Sequence, residues 1–251
     1  MCRNRARIRE VGGGFAIGQD TDLLLRMHGK HVIQAEVHTC ARCRFSGYAA
    51  DFLRTISPGA QRRFLDEVSP ALEDGVSSDG ALHVASEASP PAHRTPLPHV
   101  QYQWASQTAE AIGLPPTPQG ERLVRAYWCL RLPPSLSLPL STRKSLGKIY
   151  LKGAIQKLRQ GLRQEGDPSR LYLIGELCRR NENFLLAVSY FRRFLEREDG
   201  ARYLKQAAVK LIQAARENSP GGMSMEEILY NNAQDANNWQ ERDWRESKDE
   251  Q

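Results

Sequence analysis

The chain has 251 residues, of which 40% are hydrophobic, with a mean hydropathy of −0.55 and a formal net charge of +6. This composition suits one large or two small globular domains, and no run approaches the ~20 apolar residues of a membrane-spanning helix. The N-terminal residues are basic, but no apolar segment follows them. We therefore expect no secretion signal, a cytoplasmic location and no membrane partner.

The charge is spread unevenly along the chain. Residues 121–217 contain 20 basic and 9 acidic side chains, a net +11, whereas residues 218–251 contain 3 basic and 8 acidic ones, a net −5. A basic region of this kind is typical either of solvated helix faces or of a surface for an anionic partner, such as nucleic acid or an acidic peptide.

Residues 1–52 are predicted to form a small β-rich module. The stretch HVIQAEVHT at His31–Thr39 alternates between apolar and polar residues, which predicts a strand. The strand leads directly into Cys40-Ala41-Arg42-Cys43, and a strand entering a Cys-x-x-Cys turn is the arrangement of a zinc knuckle, in which two thiolates bind one tetrahedral metal.

A complete zinc site needs four ligands, and the sequence offers three cysteines for it. Cys2, Cys40 and Cys43 are the predicted Zn²⁺ ligands, with His38 or His28 as a candidate for the fourth position. Two alternatives remain open at this point: Cys40 and Cys43 are incidental thiols, or they form a redox pair. The odd number of cysteines, five in all, argues against a disulfide framework.

Residues 53–118 are predicted to contain a helix, a linker and the first repeat helix. The predicted helical stretch is Ala49–Leu72, which begins in the last residues of the preceding module, with Ser57 as an N-cap before Pro58. The Pro/Ser-rich linker covers Glu73–Pro98 and is followed by a helix over Val100–Ile112. The scattered histidines are expected at the surface, namely His83, His93 and His99.

Residues 119–218 are predicted to be helical repeats, because apolar residues recur there at spacings of three and four. The predicted helices are Gly120–Leu132, Ser141–Gln164, Arg170–Arg180, Phe184–Glu198 and Gly200–Glu217. Within the hairpin of Arg170–Glu198, Gly175 and Ala187 are the small residues at which two helices can cross closely.

This hairpin resembles a tetratricopeptide repeat. The repeat pattern has a small residue late in its first helix, another small residue twelve positions later and an aromatic residue four positions after that. Gly175, Ala187 and Phe191 meet this spacing. Repeats of this family stack side by side and present a concave face to a peptide or a protein.

A wider resemblance is to the bacterial "domain of unknown function 2225" family. The matching positions are Asp22, Cys40 and Cys43, Gly47–Ala50, Phe52, Gly175–Leu177, and Arg179 with Arg180. The resemblance implies a mainly α fold, in which helical hairpins stack as a tetratricopeptide-like solenoid behind a small N-terminal β-rich, zinc-ribbon-like module with structural zinc. The family has no established activity.

Residues 219–251 are predicted to be an acidic, partly disordered tail. The tail is predicted to begin with a short helix, SMEEILYNN, and becomes polar beyond it. It carries Trp239 and Trp244, which could dock on the helical repeats or on a partner.

The function predicted from these features is that of a non-enzymatic scaffold that binds another protein or a peptide. No phosphate-binding loop, nucleophile elbow or metalloprotease motif is present in the sequence. The predicted partner-binding residues lie on the inner faces of the helices, at Arg125, Tyr172, Glu176 and Arg180.

The alternative function is nucleic-acid binding by the basic helices together with the Arg-rich N-terminus. The N-terminal residues concerned are Arg3, Arg5, Arg7 and Arg9, with Arg42 and Arg44 in the predicted knuckle. This alternative predicts a continuous basic face and an affinity that falls steeply as the salt concentration rises.

Overall fold

The structure is a computed structural model that describes residues 14–72, 96–162 and 167–230. Within these ranges the chain is mainly helical, with a small β region of two two-stranded sheets near its N-terminal end, as the sequence predicts. Cys2, Trp239, Trp244 and nearly all of the predicted linker lie outside the described residues.

The β region consists of two antiparallel hairpins. Strand β1 (Phe15–Gln19) pairs with β2 (Leu25–His28). Strand β3 (Val37–Thr39) pairs with β4 (Ser46–Tyr48). The predicted strand over His31–Thr39 is wrong in its first part, where the chain forms a 3₁₀ turn instead.

The helices of the structure follow the apolar stripes of the sequence. They are α1 (Ala49–Leu53), α2 (Pro58–Arg63, continuing as a π turn over Phe64–Val68), α3 (Pro98–Ala111), α4 (Pro116–Cys129), α5 (Leu140–Leu162), α6 (Pro168–Arg180), α7 (Phe184–Leu195) and α8 (Arg202–Arg216). Ser57 caps α2 as predicted, because its side-chain oxygen accepts a hydrogen bond from the Ala60 backbone N–H at 3.3 Å and Pro58 follows as the first helical residue.

The elements belong to two compact units. The first unit contains β3, β4 and α1–α5, and the second contains β1, β2 and α6–α8. The two described hairpins of the predicted 1–52 module are therefore in different units. In the first unit, the core between α3, α4 and α5 includes Trp104, Ala126 and Tyr150, each at most 5% exposed.

The core of the second unit forms where α6 crosses α7. A Cβ atom at Gly175 would lie 2.9 Å from the Phe191 ring, so the helices approach each other as closely as glycine permits. Ala187 is fully buried, and the Tyr172 ring centroid lies 5.8 Å from that of Phe191 and 5.6 Å from that of Phe194. The predicted close approach of the two helices at Gly175 is confirmed, and Ala187 is buried as a small core residue of α7.

The first residues of the acidic tail are part of the second unit. Residues 225–230 are helical, and Met225 and Ile228 are buried. A capping box starts this helix: the Ser224 hydroxyl accepts from the Glu227 N–H at 3.1 Å, and the Glu227 carboxylate accepts from the Ser224 N–H at 3.1 Å.

The prediction that His99 lies at the surface is wrong. His99 is fully buried near the start of α3, with its Nδ1 atom 3.0 Å from the Tyr150 hydroxyl oxygen. That hydroxyl donates to the Gln103 side-chain oxygen at 3.0 Å, so His99 Nδ1 is the donor in the first hydrogen bond. Burial lowers the pKa of His99 to about 4.

In the ranges that the structure describes, no helix combines the length and apolar character that crossing a bilayer requires.

Candidate functional site

Cys40 and Cys43 lie in the turn that joins β3 to β4. The Cys40 N–H donates to the Phe45 carbonyl at 2.8 Å, and the Arg44 N–H donates to the Cys40 carbonyl at 2.9 Å. Arg44 adopts φ 58°, the left-handed conformation that favours glycine. Both thiols are buried in a hydrophobic cluster with Phe45 and Phe64. The turn therefore holds two sulfurs at the edge of the first unit's core.

Two thiols make only half of a structural zinc site, since such sites have four ligands. The described ranges contain no group of three or more His, Cys, Asp or Glu side chains placed to hold a metal ion. Cys2 lies outside those ranges, and His28 and His38 belong to different compact units. The described residues thus do not fit zinc by themselves.

Arg125 takes part in a network of the first unit. Its guanidinium pairs with the Glu36 carboxylate, which also accepts from the Tyr102 hydroxyl at 3.1 Å, and it lies 5.4 Å from the centroid of the Tyr48 ring. Burial alone would lower the pKa of Arg125, but Tyr48, Tyr102 and Glu36 together raise it. Its side chain remains one-third exposed.

Tyr172, Glu176 and Arg180 come together in a buried cluster of the second unit. The Glu176 carboxylate accepts from Arg179 Nε at 2.7 Å and Nη2 at 2.8 Å, from Arg180 Nε at 2.8 Å and from the Thr21 hydroxyl at 2.6 Å. Four short hydrogen bonds, three of them from guanidinium groups, converge on one carboxylate with no exposed surface.

The same cluster ties three chain segments together. The Tyr172 hydroxyl donates to the Thr21 carbonyl at 2.9 Å, in the loop between β1 and β2. Arg179 donates to the carbonyls of Ser219 and, at 2.8 Å, Gly221, in the segment after α8. The cluster therefore fastens the first hairpin and the start of the tail to α6.

Burial inside this cluster keeps three of the predicted partner-binding residues away from solvent. Tyr172 and Glu176 are 0% exposed and the Arg180 side chain is 4% exposed, whereas Arg125 keeps accessible surface. Burial alone would raise the pKa of Glu176, but the hydrogen bonds from Arg179 and the positive charge of Arg180 lower it. The carboxylate is therefore held ionised as a structural anchor.

An accessible groove lies elsewhere in the second unit, where the start of α7 faces the end of α8. It has a volume of about 530 Å³, and its lining residues are Glu182, Asn183, Phe184, Leu185, Val188, Ala215, Arg216 and Asn218. Leu185 is 89% exposed, the most exposed large apolar side chain in the described ranges.

This groove was not predicted from the sequence, although one signal for it is present. The buried stripe of α7 is formed by Ala187, Tyr190, Phe191 and Phe194. Leu185 falls outside that stripe, so an apolar residue occupies a position where a solvated helix face would carry a polar one. Arg216 and Asn218 come from a helix end about 30 residues later, and their position beside Leu185 depends on the packing of α8.

Searches of protein-family models, curated proteins and solved structures found no match for this chain.

Proposed function

We propose that the protein is a non-enzymatic interaction module whose α7–α8 groove binds a short peptide segment of another protein. The segment would carry bulky apolar side chains for the groove and a carboxylate for Arg216. The observation that carries this proposal is an open groove with an almost fully exposed leucine on its wall.

The apolar wall supplies the affinity in this proposal. The groove is lined by three apolar side chains from α7, those of Phe184, Leu185 and Val188. Amphipathic peptides bind to other proteins in apolar grooves of this kind. Burying one leucine side chain contributes about 1.5–3 kcal/mol. Because the Leu185 side chain is almost fully exposed to solvent, a partner that buries it gains that contribution.

The polar end of the groove supplies orientation. Arg216 is exposed and can form a two-pronged hydrogen bond with a carboxylate. Asn183 and Asn218 offer amide donors and acceptors on the same rim. A peptide with an acidic residue near its apolar anchors is therefore favoured over a purely apolar one.

Several finer features belong to the same proposal. The close crossing at Gly175 and the hairpin α6–α7 support a tetratricopeptide-like repeat, and the stacking of such hairpins as a solenoid, the relation to the bacterial family and a cytoplasmic location remain predictions. A structural zinc ion also remains a prediction, since it requires Cys2 and a further ligand beside Cys40 and Cys43.

The test is peptide binding to the intact chain. Peptides of 12 residues are selected from a random displayed library, and a synthetic peptide of residues 231–251 serves as a second probe. Dissociation constants are measured for wild type, for Leu185→Asp in the groove and for Leu53→Asp as the control. Leu53 is a matched leucine, 85% exposed in α1 of the other unit.

We expect the selected peptides to contain apolar anchors next to a carboxylate, and to lose at least tenfold in affinity with Leu185→Asp, since an introduced carboxylate repels the peptide's acidic residue and removes the apolar contact. Leu53→Asp should bind as wild type does. If both variants bind equally well, the groove is not the peptide site. If the 231–251 peptide alone binds the groove, the site serves the chain's own tail and not another protein.

A further inference from the structure

Helix α5 (Leu140–Leu162) is basic along its whole length. Its 23 residues contain no Asp or Glu, and its basic side chains are Arg143, Lys144, Lys148, Lys152, Lys157 and Arg159. Helices of soluble proteins normally mix both signs on their exposed faces, because oppositely charged pairs at spacings of three and four stabilise them. The absence of any acidic residue from this helix therefore leaves its basic side chains without acidic neighbours on the same helix.

Four of these side chains lie along one side of the helix in a row with a single seven-residue gap, which we call the α5 stripe. Lys144, Lys148, Lys152 and Arg159 are all exposed, and their spacings of four, four and seven residues place them within about 80° of one another around the helix axis. The stripe is about 22 Å long at 1.5 Å per residue.

The packing of α5 fixes the direction in which the stripe faces. The side of the helix centred about 120° from the stripe is buried, with Tyr150, Ala154 and Leu158 each at most 1% exposed in the core of the first unit. Lys157 lies outside the stripe and pairs with Glu110 of α3 at 2.6 Å. The helix cannot rotate without exposing its core residues, so the stripe is a fixed feature of the surface.

We propose that the α5 stripe binds the phosphate backbone of nucleic acid. A row of positive charges spaced about 6, 6 and 10 Å apart along the helix axis suits an extended polyanion better than a single phosphate or carboxylate group. The stripe is long enough to lie along about six base pairs of duplex, at 3.4 Å per pair. Three of its four members are lysines, which contact phosphates as point charges and do not read base edges, so binding is sequence-independent.

This site is separate from the peptide groove. The stripe belongs to the first unit and the groove to the second. A protein with both sites would hold a peptide-bearing partner and a nucleic acid on one chain, and each site can fail its test without affecting the other.

The test is the salt dependence of nucleic-acid binding by the intact chain. A fluorescently labelled 24-base-pair DNA duplex of random sequence and the matching single strand are titrated with protein between about 50 and 300 mM KCl. Four phosphate contacts predict a slope of log K against log salt near −3.6 for the duplex and near −2.8 for the single strand. The form that binds more tightly at equal salt concentration is the one that lies on the stripe.

The decisive variant is the triple substitution Lys144→Gln, Lys148→Gln and Lys152→Gln. It should reduce the magnitude of the duplex slope by about 2.7 and weaken binding at 0.1 M salt by at least tenfold. The control is a second triple substitution that removes the same charge from exposed arginines of the same unit, namely Arg54→Gln, Arg62→Gln and Arg63→Gln. It should bind within threefold of wild type.

Three results would overturn the proposal. The first is that wild-type protein, shown to be folded by circular dichroism, binds neither nucleic acid at 50 mM salt. The second is an equal loss of affinity in the two triple variants, which would mean that net charge alone acts. The third is tighter binding to poly-glutamate or to phosphatidylserine vesicles than to either DNA, which would assign the stripe to an acidic protein or to a membrane surface.

Discussion

Replacement of Glu176 by alanine should unfold the second unit at a much lower denaturant concentration. Glu176 is the acceptor of four short hydrogen bonds and lies at the centre of the cluster that joins α6 to the first hairpin and to the segment after α8. The variant removes this acceptor and leaves the guanidinium groups of Arg179 and Arg180 in place. Arg179 has no exposed surface and the Arg180 side chain only 4%.

The size of the effect follows from the charges left behind. Removing one partner of a buried ion pair costs about 3–5 kcal/mol, because the remaining charge stays buried without compensation. Asp22 is still 3.5 Å from Arg180 and offsets part of that loss, which places the expected value near the lower end. Glu176→Gln keeps the shape and one acceptor oxygen, and it should cost about 1–3 kcal/mol.

The pH dependence gives a second readout of the same carboxylate. The pKa of Glu176 is lowered in the folded protein, so its stabilising effect is fully present above the unfolded pKa near 4.5 and is lost as the pH falls through the folded value. Wild type should therefore lose stability of the second unit below about pH 4.5, and Glu176→Ala should lack this part of the acid sensitivity.

Hydrogen exchange of the α6 and α7 backbone amides, followed by mass spectrometry, measures the free energy of opening of this unit. Glu196→Ala is the control, because Glu196 is exposed at the end of α7 and its loss should change that free energy by no more than about 0.5 kcal/mol. A loss below about 1 kcal/mol for Glu176→Ala would contradict the reasoning, since it would mean that water or another group replaces the carboxylate at little cost.

Two further predictions concern the cores of the two units. The pKa of His99 is lowered to about 4 by burial, so the first unit should lose up to about 3 kcal/mol as the pH falls from 6.5 to 4, and His99→Gln should remove this dependence in a urea titration repeated at each pH. Gly175→Ala should destabilise the second unit by about 1–3 kcal/mol, because the new Cβ would lie 2.9 Å from the Phe191 ring. Thermal melts measure both glycine variants: Gly59→Ala, whose Cβ would meet nothing within 4 Å, should be neutral or slightly stabilising, and equal effects of the two variants would refute the packing argument.

Local patterns were sufficient to predict the helices. Apolar residues at spacings of three and four placed α3 to α8 within a few residues of their observed ends, and Gly175 with Ala187 marked the crossing of α6 and α7. Capping residues such as Ser57 act over three positions, so the sequence alone reveals them. These features depend on neighbours along the chain and not on its tertiary path.

Long-range packing accounts for what the sequence did not reveal. Tyr172, Glu176 and Arg180 are polar residues of an amphipathic helix, and the sequence indicated that they face a partner. They face Thr21 and Asp22 instead, more than 140 residues away along the chain. The periodicity of a helix does not show which distant segment a polar side chain faces. A polar residue that is hydrogen-bonded to a distant segment looks the same in the sequence as one that is exposed to a ligand.

The groove shows the converse case. Leu185 looked like one more apolar residue of a helix, and only the position of α8 shows that its side chain is left exposed beside Arg216. The α5 stripe could have been predicted from the sequence, because the spacing of its basic residues and the absence of acidic residues from α5 are visible there. The structure added that Lys144, Lys148 and Lys152 are exposed together while the opposite face is buried.

Chemical-shift mapping of backbone amides on the isotope-labelled chain tests most directly whether the α7–α8 groove binds a peptide. A selected peptide with apolar anchors and a carboxylate is titrated into the protein. We expect the largest shifts on residues 182–188 and 215–218, and we expect Leu185→Asp to abolish them. Shifts confined to other parts of the chain, or unchanged by Leu185→Asp, would contradict peptide binding in the groove.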